Sequence, residues 1–169
     1  MTMEASARIA HGGKAVYGAS LGILMLEARF PRIPGDMGNA ATWPFPVLYR
    51  VVAGATPRRV VVERAEGLLA NFVAAAKELA SLGADGLTTN CGFLSLYQRE
   101  LAAAINIPVA TSSLMQVAMI ERTLPPGKRV GILTVNGAAL SPAHLTATAA
   151  LAGTTAPRNA GRRPSGFPG

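Results

Sequence analysis

One stretch constrains the fold of this chain more than any other. Residues 83–101 read Gly-Ala-Asp-Gly-Leu-Thr-Thr-Asn-Cys-Gly-Phe-Leu-Ser-Leu-Tyr-Gln-Arg-Glu-Leu. They begin with a short apolar run of β type, Gly86 to Thr89, and pass into a segment with helical spacing. Leu94, Tyr97, Leu101, Ala104 and Ile105 fall on one stripe of that segment. Asn90 has the side chain of an N-cap and Gly92 permits a tight bend. Cys91, the only cysteine, is therefore expected where a strand stops and a helix starts. In an open α/β sheet, sites form at such carboxyl ends of strands.

The rest of the chain repeats this alternation, which predicts an α/β fold with a parallel sheet and flanking helices. Leu21–Leu26 reads as the first buried strand and Val47–Val52 as the second. Between them runs a long loop from Glu27 to Asn39, with two prolines, two glycines and four charges. Long loops without regular structure serve either as binding loops or as plain surface connections. Glu27 and Arg29 lie nearest the end of the first strand and are the candidates there to touch a ligand. Thr56-Pro57 opens the longest expected helix. Val61, Ala65, Leu68, Phe72, Ala76 and Leu79 form its apolar stripe, and Gly83 closes it. Ile107–Thr111 is a further strand, followed by a helix from Ser113-Leu-Met-Gln116 to Leu124, with a capping-box pattern. Thr111 and Ser112 thus mark a second strand-to-helix corner. Their hydroxyls either hold a substrate carboxylate or only cap the backbone. Arg129–Val135 is the next strand. Ser141-Pro142 opens a short helix carrying His144, which is expected to face solvent in the first turn.

Charge and cysteine usage bound the function. The net charge of +7 is uneven. Residues 1–121 carry ten basic and nine acidic side chains, whereas residues 122–169 carry six basic and none acidic. The basic character belongs to the end of the chain, not to a folded face with interleaved aromatics, so nucleic acid is not expected as a partner. A single cysteine excludes an internal disulfide and a cysteine-based zinc site, and fits a cytoplasmic setting. Leu101–Ile120 lacks charge over 20 residues. Pro108 and five polar residues interrupt it, so no membrane span is expected. The N-terminus shows no apolar core of a secretion signal.

The stretch Thr-Thr-Asn-Cys-Gly-Phe-Leu after Ala-Asp-Gly resembles the first cysteine motif of the aspartate/glutamate racemase superfamily, which includes hydantoin racemases and maleate isomerases. The likeness runs from about Leu21 to His144. It implies a flavodoxin-like sheet, with one complete racemase-type half plus the start of a second. Gly22-Ile-Leu and Gly131-Ile-Leu would open the two halves. On that basis residues 1–15 are a loose leader, 16–128 the α/β domain and 129–152 the first strand and helix of an incomplete second half. Residues 153–169 hold four glycines, three prolines and three arginines and are expected to be disordered. The expectation follows that the second half, with its second cysteine, was lost.

The resemblance implies an isomerase of a small amino acid or related carboxylate, working without cofactor, pyridoxal phosphate or metal. Cys91 would be the catalytic thiolate. Asn90, Gly92, Phe93, Thr111, Ser112, Glu27 and Arg29 would surround the substrate. With one thiol, two-base racemisation would be impaired. A bland reading stands beside it, because a lone cysteine also serves as a small buried hydrophobe. The competing function is a non-catalytic α/β module that binds a small acid or forms a homo-oligomer through an apolar face.

Overall fold

The structure, a computed structural model, describes residues 12–18 and 21–148, and the backbone of 158–159. The leader before residue 12 and nearly all of the basic tail lie outside the described residues.

Four strands form one parallel sheet: β1 (Leu21–Met25), β2 (Val47–Val51), β3 (Gly86–Thr89) and β4 (Val109–Ala110). Their spatial order is β2-β1-β3-β4. Leu21 pairs with Val47 on one side and Gly86 on the other, and Leu87 pairs with Val109. The central strand β1 is buried along most of its length, which its apolar run Leu-Gly-Ile-Leu-Met requires. The expected α/β fold with a parallel sheet and flanking helices is therefore present.

The expected long helix is divided. α1 (Pro57–Val61) is capped by Thr56, whose Oγ1 accepts from Arg59 N. α2 (Leu69–Leu82) then starts after a loop in which Arg64, Ala65 and Gly67 all have positive φ. The break has a tertiary cause. The Tyr97 hydroxyl donates to the Ala65 carbonyl, and Ala65 N donates to Arg59 O at 2.8 Å. The apolar stripe survives because Ala65 and Leu68 still fold inward, alongside Phe72, Ala76 and Leu79 of α2. Gly83 ends α2 at φ 118°, a left-handed position where a Cβ would stand 2.5 Å from the Val16 carbonyl.

The segment after Cys91 is a 3₁₀ helix (Gly92–Tyr97) that continues as α3 (Gln98–Ala104). A second 3₁₀ helix (Ser113–Gln116) leads into α4 (Val117–Glu121). Ser112, not Ser113, is its cap, with Oγ accepting from Leu114 N at 3.1 Å. The charge-free run at 101–120 is thus shared among α3, β4, this 3₁₀ helix and α4. Among the described residues no helix is long and apolar enough to cross a membrane.

The strand expected at 129–135 shrinks to β5 (Leu133–Thr134), which does not join the main sheet. It pairs in parallel with β6 (Arg158–Asn159). α5 (Pro142–Ala147) packs back against the 3₁₀ helix at 92–97 and buries Leu140 and His144. His144 does not face solvent; its ring is fully buried.

Candidate active site

The carboxyl ends of β1, β3 and β4 are laced together by short polar side chains. Asn90 N donates to Leu24 O at 3.1 Å, and Asn90 Oδ1 accepts from Leu26 N at 2.8 Å. Asn90 is thus a clamp between β3 and β1 rather than a helix cap. That clamp commits Oδ1 to β1, and Asn90 lines both clefts described below; no acceptor for its Nδ2 is seen among the described residues. The Thr89 hydroxyl donates to Thr111 O at 2.8 Å, and Thr88 Oγ1 donates to Ala110 O at 2.8 Å. Both bonds bind β3 to the end of β4.

Thr111 is fully buried and committed. Its N–H and its hydroxyl both donate to Gln98 Oε1, at 2.9 and 2.7 Å, while Gln98 Nε2 donates to Val109 O. Gln98, which the sequence did not single out, therefore holds the β4 corner from α3. Ser112 is different. Its oxygen accepts from Leu114 N, and Ser112 lines both clefts described below. Gly92 lies so near that a Cβ on it would stand 3.3 Å from Ser112 Oγ.

Cys91 sits in this framework at an extended φ of −139°, one residue before the 3₁₀ helix. It is half-buried and lines two clefts. One, of about 340 Å³, runs under Met37 and also meets Thr88, Ala110 and Gln116. The other, of about 270 Å³, lies toward β5 and is walled by Phe93, Leu114, Leu140 and residues 132–135. Asn90, Gly92, Ser112 and Ser113 are common to both. Among the described residues, neither cleft has a charged side chain in its lining.

Burial pushes the Cys91 thiol above its ordinary range. The N–H groups of Phe93 and Leu94 pull it down, but by less. The short 3₁₀ turn offers too little to offset desolvation. A raised thiol is a poor resting thiolate and, once ionised, a stronger base.

Of the remaining expected ligand contacts, Phe93 lines one cleft and Glu27 and Arg29 line neither. Phe93 is buried and meets the His144 ring edge-on at 5.3 Å. It walls a cleft but belongs chiefly to the core. Glu27 is exposed, and its carboxylate accepts from Gly54 N at 2.8 Å. Arg29 is also exposed, and neither Glu27 nor Arg29 lines either cleft. Met37, Gln116 and residues 132–135 do line them, and the sequence marked none of them as site residues.

His144 caps its own helix: Nδ1 accepts from Ser141 N at 3.1 Å and lies 3.0 Å from Ser141 Oγ. Nε2 is buried with no hydrogen-bond partner. Burial lowers the pKa of this ring, reinforced by Arg64, against the opposing pull of the Ser141 bond. The folded state therefore resists protonation below the unfolded value of about 6.5. Stability from the neutral ring is present above that pH and falls as the pH drops through the depressed folded value. We expect thermal midpoints measured from pH 7.5 to 5 to decline less in His144→Gln than in the unaltered chain.

No family model matches this chain. Relatives do, and they are named lyases. A dimethylsulfoniopropionate lyase from Durusdinium sp. clade D is 29% identical over 130 residues, covering 76% of this chain and 43% of that protein. Dimethylsulfoniopropionate lyase 7 from Emiliania huxleyi is 30% identical over 124 residues, covering 73% and 36%. Dimethylsulfoniopropionate lyase 3 from the same organism is 29% identical over 124 residues, covering 73% and 32%. Matches of this length in a chain of 169 residues necessarily include Cys91 and its corner. The chain spans less than half the length of these relatives. They correct the expected family and reaction: the likeness is to proteins named for cleaving dimethylsulfoniopropionate, not for racemising or isomerising amino acids. They lend no support to a non-catalytic module either.

Proposed function

We propose that this chain carries a lyase site for dimethylsulfoniopropionate or a close sulfonium carboxylate, with Cys91 as its base. The observation that carries the reading is the lone thiol in a lining that holds no charged side chain among the described residues. Dimethylsulfoniopropionate has one sulfonium and one carboxylate and no net charge. A cleft without ionised side chains suits such a zwitterion. Aspartate and glutamate each bring a second carboxylate and would be left with an unpaired charge. The names of the relatives point the same way.

The reaction is a β-elimination. The ionised Cys91 sulfur takes the proton from the carbon next to the carboxylate. The electrons of that C–H bond form the carbon–carbon double bond, the C–S bond breaks, and dimethyl sulfide leaves with the sulfonium's positive charge neutralised. Acrylate remains, and the thiol proton returns to solvent. Negative charge builds on the carboxylate during proton removal, and donors aimed there lower the barrier. Among the described lining residues, the Asn90 carboxamide and the Ser112 hydroxyl are two groups able to donate there. A cytoplasmic setting would keep the thiol reduced.

The test is to incubate the chain with dimethylsulfoniopropionate and follow headspace dimethyl sulfide and acrylate together. Equimolar, saturable release is expected. Its rate should climb with pH through the alkaline range and reach half-maximum above about 8.5, the ordinary thiol value, because the thiol is raised. No release over buffer, or a rate already flat at neutral pH, would overturn the reading.

A further inference from the structure

The loop between β1 and β2 is built rather than slack, and its construction converges on one residue. Asp36 Oδ1 accepts from Gly38 N at 2.6 Å and pairs with Arg32 Nη1 at 2.8 Å. The Asp36 carbonyl accepts from Asn39 N at 3.0 Å and Thr42 Oγ1 at 2.7 Å. Asn39 Nδ2 reaches back to Arg32 O at 2.8 Å. Inside this brace, the Met37 carbonyl takes two further bonds. Tyr49 Oη donates to it at 2.9 Å, and Trp43 Nε1 lies 3.1 Å from it. Tyr49 stands on β2, so the bond fixes the turn to the sheet.

All of these bonds hold the backbone at residues 36–39. The Met37 side chain makes none of them, and Met37 is among the residues that line the 340 Å³ cleft with Cys91. A rigid turn that presents one long, apolar, polarisable side chain to a cleft is a specificity wall. We propose that Met37 sets the size of the group admitted to the Cys91 sulfur and, resting on the lyase reading above, selects the alkyl groups on the substrate's sulfonium. A thioether brings no charge and packs against methyl groups through dispersion. One methylene more or less in such a pocket changes selectivity by roughly 10- to 200-fold.

Because the clamp acts on the Met37 backbone, Met37→Ala leaves the turn intact and removes only the wall. The first arm needs no turnover. Cys91 is alkylated with iodoacetamide and with the bulkier N-phenylmaleimide, in the unaltered chain, in Met37→Ala and in Val135→Ala. Val135 lines the other cleft and serves as the control. Met37→Ala is expected to speed the bulky reagent at least tenfold relative to iodoacetamide, and Val135→Ala to change that ratio by less than about twofold. An unchanged ratio in Met37→Ala, or a larger shift in Val135→Ala, overturns the proposal. The second arm compares release of dialkyl sulfide from dimethyl and diethyl sulfoniopropionate. Met37→Ala should shift preference toward the diethyl compound by tenfold or more. Release with unaltered preference overturns the selection of sulfonium groups. A shifted alkylation ratio in a protein that releases no sulfide at all sinks the lyase reading and leaves the wall standing.

Discussion

Replacing Cys91 with alanine is expected to lower dimethyl sulfide release by roughly 10²- to 10⁴-fold, the usual contribution of a positioned acid or base. The urea midpoint should move little, within about 1 kcal/mol, because Cys91 is half-buried and makes no side-chain cap bond. This combination separates chemistry from packing. A cysteine serving as a small hydrophobe would lose stability on truncation and leave any release untouched. Cys91→Ser sharpens the contrast. A serine hydroxyl keeps the size and polarity of the site, but its proton is far harder to remove, so release should stay as low as in the alanine variant. Full activity in the serine variant would show that the sulfur is not the base. The raised thiol adds a second signature: the residual rate of either variant should lose the alkaline climb seen in the unaltered chain.

The corner that holds Cys91 was legible because two local signals agree there. A short apolar run of β type ends at Thr89, and an apolar stripe of helical period begins at Leu94. Each signal is short in sequence, and so is the geometry it reports. What was not legible depends on residues distant along the chain. Asn90 reads as a cap, yet its carboxamide is captured by Leu26 N, sixty-four positions away. The stripe from Val61 to Leu79 reads as one helix, yet Tyr97 draws Ala65 out of line through a bond spanning thirty-two positions. His144 follows a helix-opening Ser-Pro and reads as exposed. It is buried because α5 lands on the 3₁₀ helix at 92–97, and no local pattern encodes that landing. Met37 has no motif at all. Its place follows from Trp43 and Tyr49, two aromatic residues whose polar tips happen to converge on one carbonyl. The family resemblance, carried by seven residues around Cys91, named a family and a reaction other than those the relatives' names give, since a shared motif does not fix the reaction a site performs.

Phe72→Ala is expected to cost about 3–5 kcal/mol, a large share of the roughly 5–15 kcal/mol that holds such a domain folded. Phe72 is fully buried near the start of α2 and packs edge-on against Tyr97 at 5.8 Å. Two losses therefore coincide. The deleted ring leaves a cavity beneath α2, and Tyr97 loses the surface that keeps its hydroxyl on the Ala65 carbonyl. The second loss reaches the turn beside the site but not the cleft lining. Tyr97 ends the 3₁₀ helix that begins beside Cys91, so freeing it loosens the turn that carries Phe93 and receives α5. Tyr97→Phe isolates this contribution, since it removes one bond to a partly buried carbonyl and should cost only about 1–2 kcal/mol. Urea unfolding, followed by far-ultraviolet circular dichroism, measures both. At concentrations where Phe72→Ala remains folded, release per folded molecule should stay within a few-fold of the unaltered chain, because no atom of Phe72 lines either cleft. A stability loss below 1 kcal/mol would mean that α2 is not the element on which the sheet depends, and the placement of the Cys91 corner would then need another support.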